Sequence, residues 1–378
     1  MEIRYVDDGE GLEAVRSILG AANRIALDCE AAGYHRYTDR LCLVQLTTEG
    51  RTYLLDPLKL DLEPALRPVL EDPAVEVMMH GADFDVRLLD RDLGISVTGL
   101  FDTQIAASLL GVEALGLSSL VDNRLGIHLS KKYQKADWAQ RPLPSPMREY
   151  AAHDTTHLAA LSECLREELV ESDRLEWALE EFHELEKVRF HEPNGQEPVL
   201  GIKQARELEP REVDRLREAL AWRDQLGREL DRALFRVAGD LVLVEAARRN
   251  PASVSQLAEL KGMGRALAHQ WGQDLLIRFR DVDLRSEDQL IGYPTGQVSP
   301  NGSGRRPSPE VEARIARLKA VRNKRAEALG VGRGTLLSNA VLKLIAESPP
   351  TRPEEVASVG GIRRWQAELL ADDLIASL

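Results

Sequence analysis

Four carboxylates and one phenol occur where local pattern brings them toward a common end of the chain's first domain. Asp28 and Glu30 close the segment RIALDCEAAG, in which Ile25, Ala26 and Leu27 read as a buried strand. A strand's period of two points both acids to one face. Asp85 lies in HGADFDVRLL, where the strand VEVMMHG gives way to a helix, and falls in that helix's first turn facing the end of the sheet. Tyr150 and Asp154 stand four apart in EYAAHDTTHLAAL, a spacing that puts both on one helix face. Convergent carboxylates with no His or Cys among them make a hard-oxygen site, suited to Mg²⁺ or Mn²⁺. Two such ions about 3.5–4 Å apart activate a water, clamp a scissile phosphate and stabilise the leaving oxygen of an in-line displacement. Both Asp28 and Glu30 then face metal, with Asp28 placed to bridge the ions. A lone DxE at a strand end is ordinarily a solvated turn; the joint occurrence of these acids, in this order, carries the reading.

The elements that must hold these residues alternate in the first 170 positions. RIALD, LCLVQLT and TYLLDP read as strands joined by short turns, LEPALRPVLEDP as a helix, VEVMMHG as a fourth strand, with helices after it. This pattern predicts a mixed sheet covered by helices, an α/β domain. A helical connector is expected over 171–208. Beyond it, two blocks of short helices, 209–284 and 308–378, repeat one another: LAWRDQLGRELD answers to LKAVRNKRAEALG, and RNPASVSQLAELKGMG to ESPPTRPEEVASVGGI. The offset stays near one hundred residues throughout, which marks a duplicated module. Between them, 285–307 is rich in Gly, Pro and Ser and reads as a flexible linker.

Bulk properties narrow the classes. A hydrophobic fraction of 43% with 29% charged residues is that of a soluble globular protein. The chain has no run of eighteen apolar residues, and MEIRYVDDGE lacks the basic and apolar regions of a signal peptide. A cytoplasmic, non-membrane protein is expected. Cys29, Cys42 and Cys164 show no CxxC pairing, so disulfides and structural zinc are not expected. The net charge of −13 divides into about −17 over residues 1–200 and about +4 over 201–378. An acidic domain still handles nucleic acid where divalent metals invert its local charge.

The ordered set ALDCE, HGADFDVRLL and YAAHD resembles the three motifs of the DEDD superfamily of 3′ to 5′ exonucleases, in its tyrosine branch, and is most similar to ribonuclease D. LCLVQL, LLDPL, FDTQIAASLL and KKYQKADWAQRPLP accompany them over residues 20 to about 165. The two helical blocks resemble the HRDC domain. The resemblance implies a ribonuclease H-like exonuclease domain over 1–170 followed by two all-α HRDC domains. It makes Asp28, Glu30, Asp85 and Asp154 ligands of two divalent ions, and Tyr150 the residue that orients the attacking water. Its phenol, with an ordinary pKa near 10, suits positioning better than strong base chemistry. The implied activity is metal-dependent release of nucleoside 5′-monophosphates from RNA 3′ ends, in maturation of tRNA precursors or other small structured RNA. A DNA exonuclease using the same carboxylates and a non-catalytic nucleic-acid scaffold are the alternatives. A monomer is expected. Ala31 and Ala32 stand where the family commonly carries a bulky side chain beside the glutamate.

Lys131, Lys132, Lys135 and Arg141, interleaved with Tyr133 and Trp138, form the dense basic cluster of the acidic domain and are expected to contact phosphates. Trp138 is expected in the core. Asp102 is expected to cap a helix, and His80 to pack or hydrogen-bond. His153, displaced about 100° from Asp154 on a helix, is expected to lie outside the site. Trp222, Trp271 and Trp365 have the spacing of core residues.

Overall fold

A computed structural model describes residues 2–192, 195, 197–294 and 307–378; residues 295–306 of the expected linker and 193, 194 and 196 of the expected connector lie outside the described residues. Six strands form one mixed sheet: β1 (Glu2–Val6), β2 (Arg24–Ala31), β3 (Leu41–Thr48), β4 (Arg51–Leu55), β5 (Glu76–Met79) and β6 (Leu100–Asp102). Their order is β1-β4-β3-β2-β5-β6, with β3 antiparallel to both neighbours and the other pairs parallel. β2 pairs with β5 over Arg24 to Ala26 alone, so its acidic end runs past β5 beside β3. The parallel strands β2, β5 and β6 thereby deliver their C-terminal ends to one edge, where open α/β sheets place their chemistry.

Each face of the sheet has its own apolar layer. Ile25, Leu27, Val44 and Leu46 pack beneath α1 (Gly9–Leu19), α2 (Glu63–Leu70) and α3 (Asp83–Leu93). The opposite face, bearing Ala26, Met78 and Phe101, carries α4 (Thr103–Leu109), α5 (Leu117–Leu125), α7 (Leu158–Glu171) and α8 (Leu175–Glu186). Between α5 and α7, α6 (Ser145–Thr156) lies across β3 and β4.

The duplicated modules each have five helices. The first has α9 (Pro210–Glu229), α10 (Leu234–Val237), α11 (Asp240–Arg249), α12 (Val254–Ala258) and α13 (Arg265–Asp283). The second has α14 (Pro309–Leu329), α15 (Arg333–Leu336), α16 (Asn339–Glu347), α17 (Pro353–Ala357) and α18 (Arg364–Ala376). Every helix of the second begins 99 residues after its counterpart. Trp222 and Trp365 are buried, and Trp271 is partly buried against the first module's core.

The chain divides into two compact units. One contains the sheet, its helices and the second module; the other contains the first module with residues 191–306 and the β2–β3 loop Ala32–Arg40. In the first, Trp365 stacks on Trp177 of α8 with centroids 4.7 Å apart, and Arg363 pairs with Glu181 at 3.0 Å. A Cβ on Gly111, whose φ is +79°, would lie 1.8 Å from the carbonyl oxygen of Gly330, so this approach requires glycine. The helix α8, at the start of the expected connector, packs with the sheet domain rather than standing apart from it.

Candidate active site

Strand pleat, a tight turn and two helices assemble the acidic residues. Asp28 and Glu30 occupy alternate positions of β2, and the register with β3 breaks between Glu30 and Ala31. One acid oxygen from each of Asp28, Glu30 and Asp154 falls within 4.8 Å of the others. Asp85 is buried in the first turn of α3 and raises the pKa of Glu30 electrostatically, as Asp28 raises its own. Tyr150 lies one turn before Asp154 on α6 and is almost fully buried, between the rings of Tyr133 and Trp138 at 5.9 and 6.1 Å.

The electrostatics are those of an acid cluster without counter-charge. Burial pushes the Asp28 carboxyl up to about 7. Burial, then the Asp28 charge, pushes Asp154 up to about 8. Glu30 and Asp85 are raised well above the carboxylate range, by burial first and by neighbouring acids second. Among the described residues, no Lys or Arg shifts any of the four carboxyls. Burial and the charges of Asp154, Glu30 and Asp28 also raise the Tyr150 phenol, so it stays protonated at neutral pH. An all-oxygen donor set held close against its own repulsion fits hard divalent cations.

Asp102 does more than the expected capping. Its fully buried carboxylate accepts the N–H groups of Gln104 and Ile105 at the start of α4, at 2.8 and 3.0 Å. It also accepts those of Gly81 and Ala82, at 3.1 and 2.7 Å, in the turn that launches α3. Gly81 makes that turn at φ +67°. His80 hydrogen-bonds Thr103 at 2.9 Å, and burial lowers its pKa. His153 is exposed, its ring parallel to that of His157 at 6.3 Å.

The basic cluster divides. Lys131, Lys132 and Lys135 are exposed on the segment before α6, Lys132 over the Tyr133 ring at 5.2 Å. Arg141 points inward: its five donors go to both oxygens of the buried Asp56 and to the carbonyls of Cys42, Trp138 and Gln140, at 2.7–2.8 Å. Tyr5 donates to the same Asp56 at 2.5 Å. The expectation that Arg141 contacts phosphate is therefore corrected, because a guanidinium has only five donors and all are used. The nearby apolar strand end LLDPL, with its one acid, was the available signal for this buried pair. A second residue that the sequence reading passed over is Gln45, on β3 directly across from Asp28.

The 3'-5' exonuclease family pattern matches residues 3–170, and the HRDC domain pattern matches 212–277 and 311–378. Ribonuclease D of Pseudomonas paraeruginosa is 29% identical over 379 residues, covering 100% of this chain and 98% of that protein. The exosome complex exonuclease RRP6 of Saccharomyces cerevisiae is 33% identical over 68% of this chain, which spans 37% of that protein's length. The crystal structure of Escherichia coli RNase D, an exoribonuclease involved in structured RNA processing, superposes with a TM-score of 0.70 at 25% identity, covering 100% of this chain and 99% of that one.

Proposed function

The chain belongs to the ribonuclease D family of 3′ to 5′ exoribonucleases, and on that premise we propose how its own residues carry out the hydrolysis and on which RNA. Asp28, Glu30, Asp85 and Asp154 hold two divalent cations, Mg²⁺ or Mn²⁺. The observation that carries this is the convergence of three carboxylates within 4.8 Å, with a fourth in electrostatic range and no Lys or Arg among the described residues shifting any of them. Cations held there supply the positive charge that an anionic phosphodiester needs in its displacement.

The protein's part is placement. β2 fixes Asp28 and Glu30 on one face, and the first turn of α3 brings Asp85 to them. Tyr150, a protonated phenol wedged between two rings, orients the attacking water by a hydrogen bond rather than by removing its proton. Lys131, Lys132 and Lys135 contact the RNA backbone, a role supported by their exposure on the segment leading into α6. The products are nucleoside 5′-monophosphates. The substrates are tRNA precursors or other small structured RNA with single-stranded 3′ ends, and the enzyme acts as a monomer, a reading with which the grouping of Asp28, Glu30 and Asp154 within one chain is compatible.

Replacing Asp28 with Asn tests the reading. Hydrolysis of a single-stranded RNA 3′ tail is expected to fall at least a thousandfold, with the circular dichroism spectrum of the protein unchanged. Retention of even a tenth of the rate would remove Asp28 from the ligand set.

A further inference from the structure

Every residue of Leu41–Leu46 on β3 is buried, and one of the six is Gln45. Its exposure is 0%, and neither Oε1 nor Nε2 makes a hydrogen bond to another protein group. Among buried polar groups that is uncommon, because an amide left without partners costs about 1–3 kcal/mol. A Met or Leu of similar shape would avoid that cost.

The register says where the amide sits. Gln45 is the cross-strand partner of Asp28. Such partners share one face, with Cβ atoms about 4.5–5.5 Å apart. The face is the one beneath α6: two residues along β3, the Thr47 hydroxyl meets that of Thr155 on α6 at 2.7 Å. One turn earlier on α6, Ala151 and Ala152 are fully buried. A partnerless amide is thus enclosed beside the acid on which the candidate site depends.

We propose that Gln45 is a positioning residue of the acidic site: its Nε2 donates a hydrogen bond to the Asp28 carboxylate, directly or across one water, and holds it in its ligating orientation when the site carries its cations. This rests on the metal reading of the four carboxylates given above. Carboxylates that ligate metal are themselves hydrogen-bonded by an outer layer of side chains, and loss of such a partner typically costs about 10–100-fold in metal affinity or activity. The amide's cost to folding is then offset by function, as local conflicts at working sites usually are.

The test is Gln45→Met, which keeps the volume and removes both polar atoms. Mn²⁺ affinity is measured by titration calorimetry, and the melting temperature in chelator, on the full chain. The expected result is a 10–100-fold weaker Mn²⁺ affinity together with a melting temperature equal to or above that of the parent. Thr47→Val is the companion variant: it removes a hydroxyl from the same face and is expected to lower the melting temperature while leaving Mn²⁺ affinity unchanged. Unchanged Mn²⁺ affinity in Gln45→Met would overturn the proposal. Should Gln45→Met fail to fold, the parent protein decides, because titration with Mg²⁺ is expected to shift the side-chain amide resonance of Gln45. An unmoved resonance while Mg²⁺ binds would equally overturn it. A parent that binds no Mn²⁺ at all would instead remove the metal reading on which the proposal stands.

Discussion

Asp28 lies among Glu30, Asp154 and Asp85, and among the described residues no arginine or lysine shifts any of the four. Its carboxyl, pushed up to about 7 against an ordinary value near 3.9, holds a proton in the folded chain that the unfolded chain has already released. The folded state therefore binds more protons between those limits, and stability falls as pH rises through them. Asp154, pushed up to about 8, extends the same slope. We expect the melting temperature in chelator to drop from pH 5 to pH 8, and added Mg²⁺ to raise it more at pH 8 than at pH 5. Calorimetric scans check this, and a metal-free melting temperature that rises over the interval would contradict the acid-cluster account. The acids were legible in the sequence because strand and helix periods alone bring Asp28 to Glu30 and Tyr150 to Asp154. Gln45 was not, since one Gln in LCLVQL reads as an interruption of an apolar strand until pairing shows Asp28 opposite. Arg141 misled for the converse reason: clustering with lysines marks a cation, but only the fold reveals the buried Asp56 that occupies it.

The elements matter through their ends. β1 alternates exposed Glu2 and Arg4 with inward Ile3 and Tyr5, whereas β6 is three residues long and buried throughout, too short to carry a period that a sequence could announce. Yet β6 ends in Asp102, which joins the start of α4 to the turn before α3 and so fixes the helix that bears Asp85. Capping was readable from FDTQ; the second pair of amides, twenty residues earlier in the chain, was not. Asp102→Ala removes a cap, worth about 1 kcal/mol, and leaves the buried N–H of Ala82 and the part-buried N–H of Gly81 without an acceptor, at about 1–3 kcal/mol each. We expect a loss of about 3–7 kcal/mol by urea unfolding. Asp8, which caps α1 through one N–H at 2.7 Å, sets the scale: Asp8→Ala should cost about 1 kcal/mol. Equal losses from the two variants would mean that the tether to Gly81 and Ala82 contributes nothing.

In the whole molecule, duplication was plain from the constant offset, but the two copies have different surroundings. The second copy shares an apolar cluster with α4, α7 and α8, sealed by the Trp177–Trp365 stack and by Glu180, which accepts the N–H groups of Arg364 and Trp365. At the matching positions the first copy has Gly264 for Arg363 and Ala266 for Trp365, and it clusters instead with the β2–β3 loop. Within its unit Tyr37 donates to Asp224 at 2.7 Å, and Arg236 covers the Tyr34 ring. Helical period could not have told the copies apart, because the difference lies in a few surface residues whose partners are distant in sequence. The most direct test acts at the acidic edge of the sheet. A 5′-labelled RNA with a single-stranded 3′ tail, and its DNA equivalent, are followed in time with Mg²⁺, with Mn²⁺ and with chelator. The account predicts a ladder shortening from the 3′ end of the RNA, dependent on the added cation and abolished by chelator. Shortening that persists undiminished in chelator, or no shortening with either cation, would contradict it.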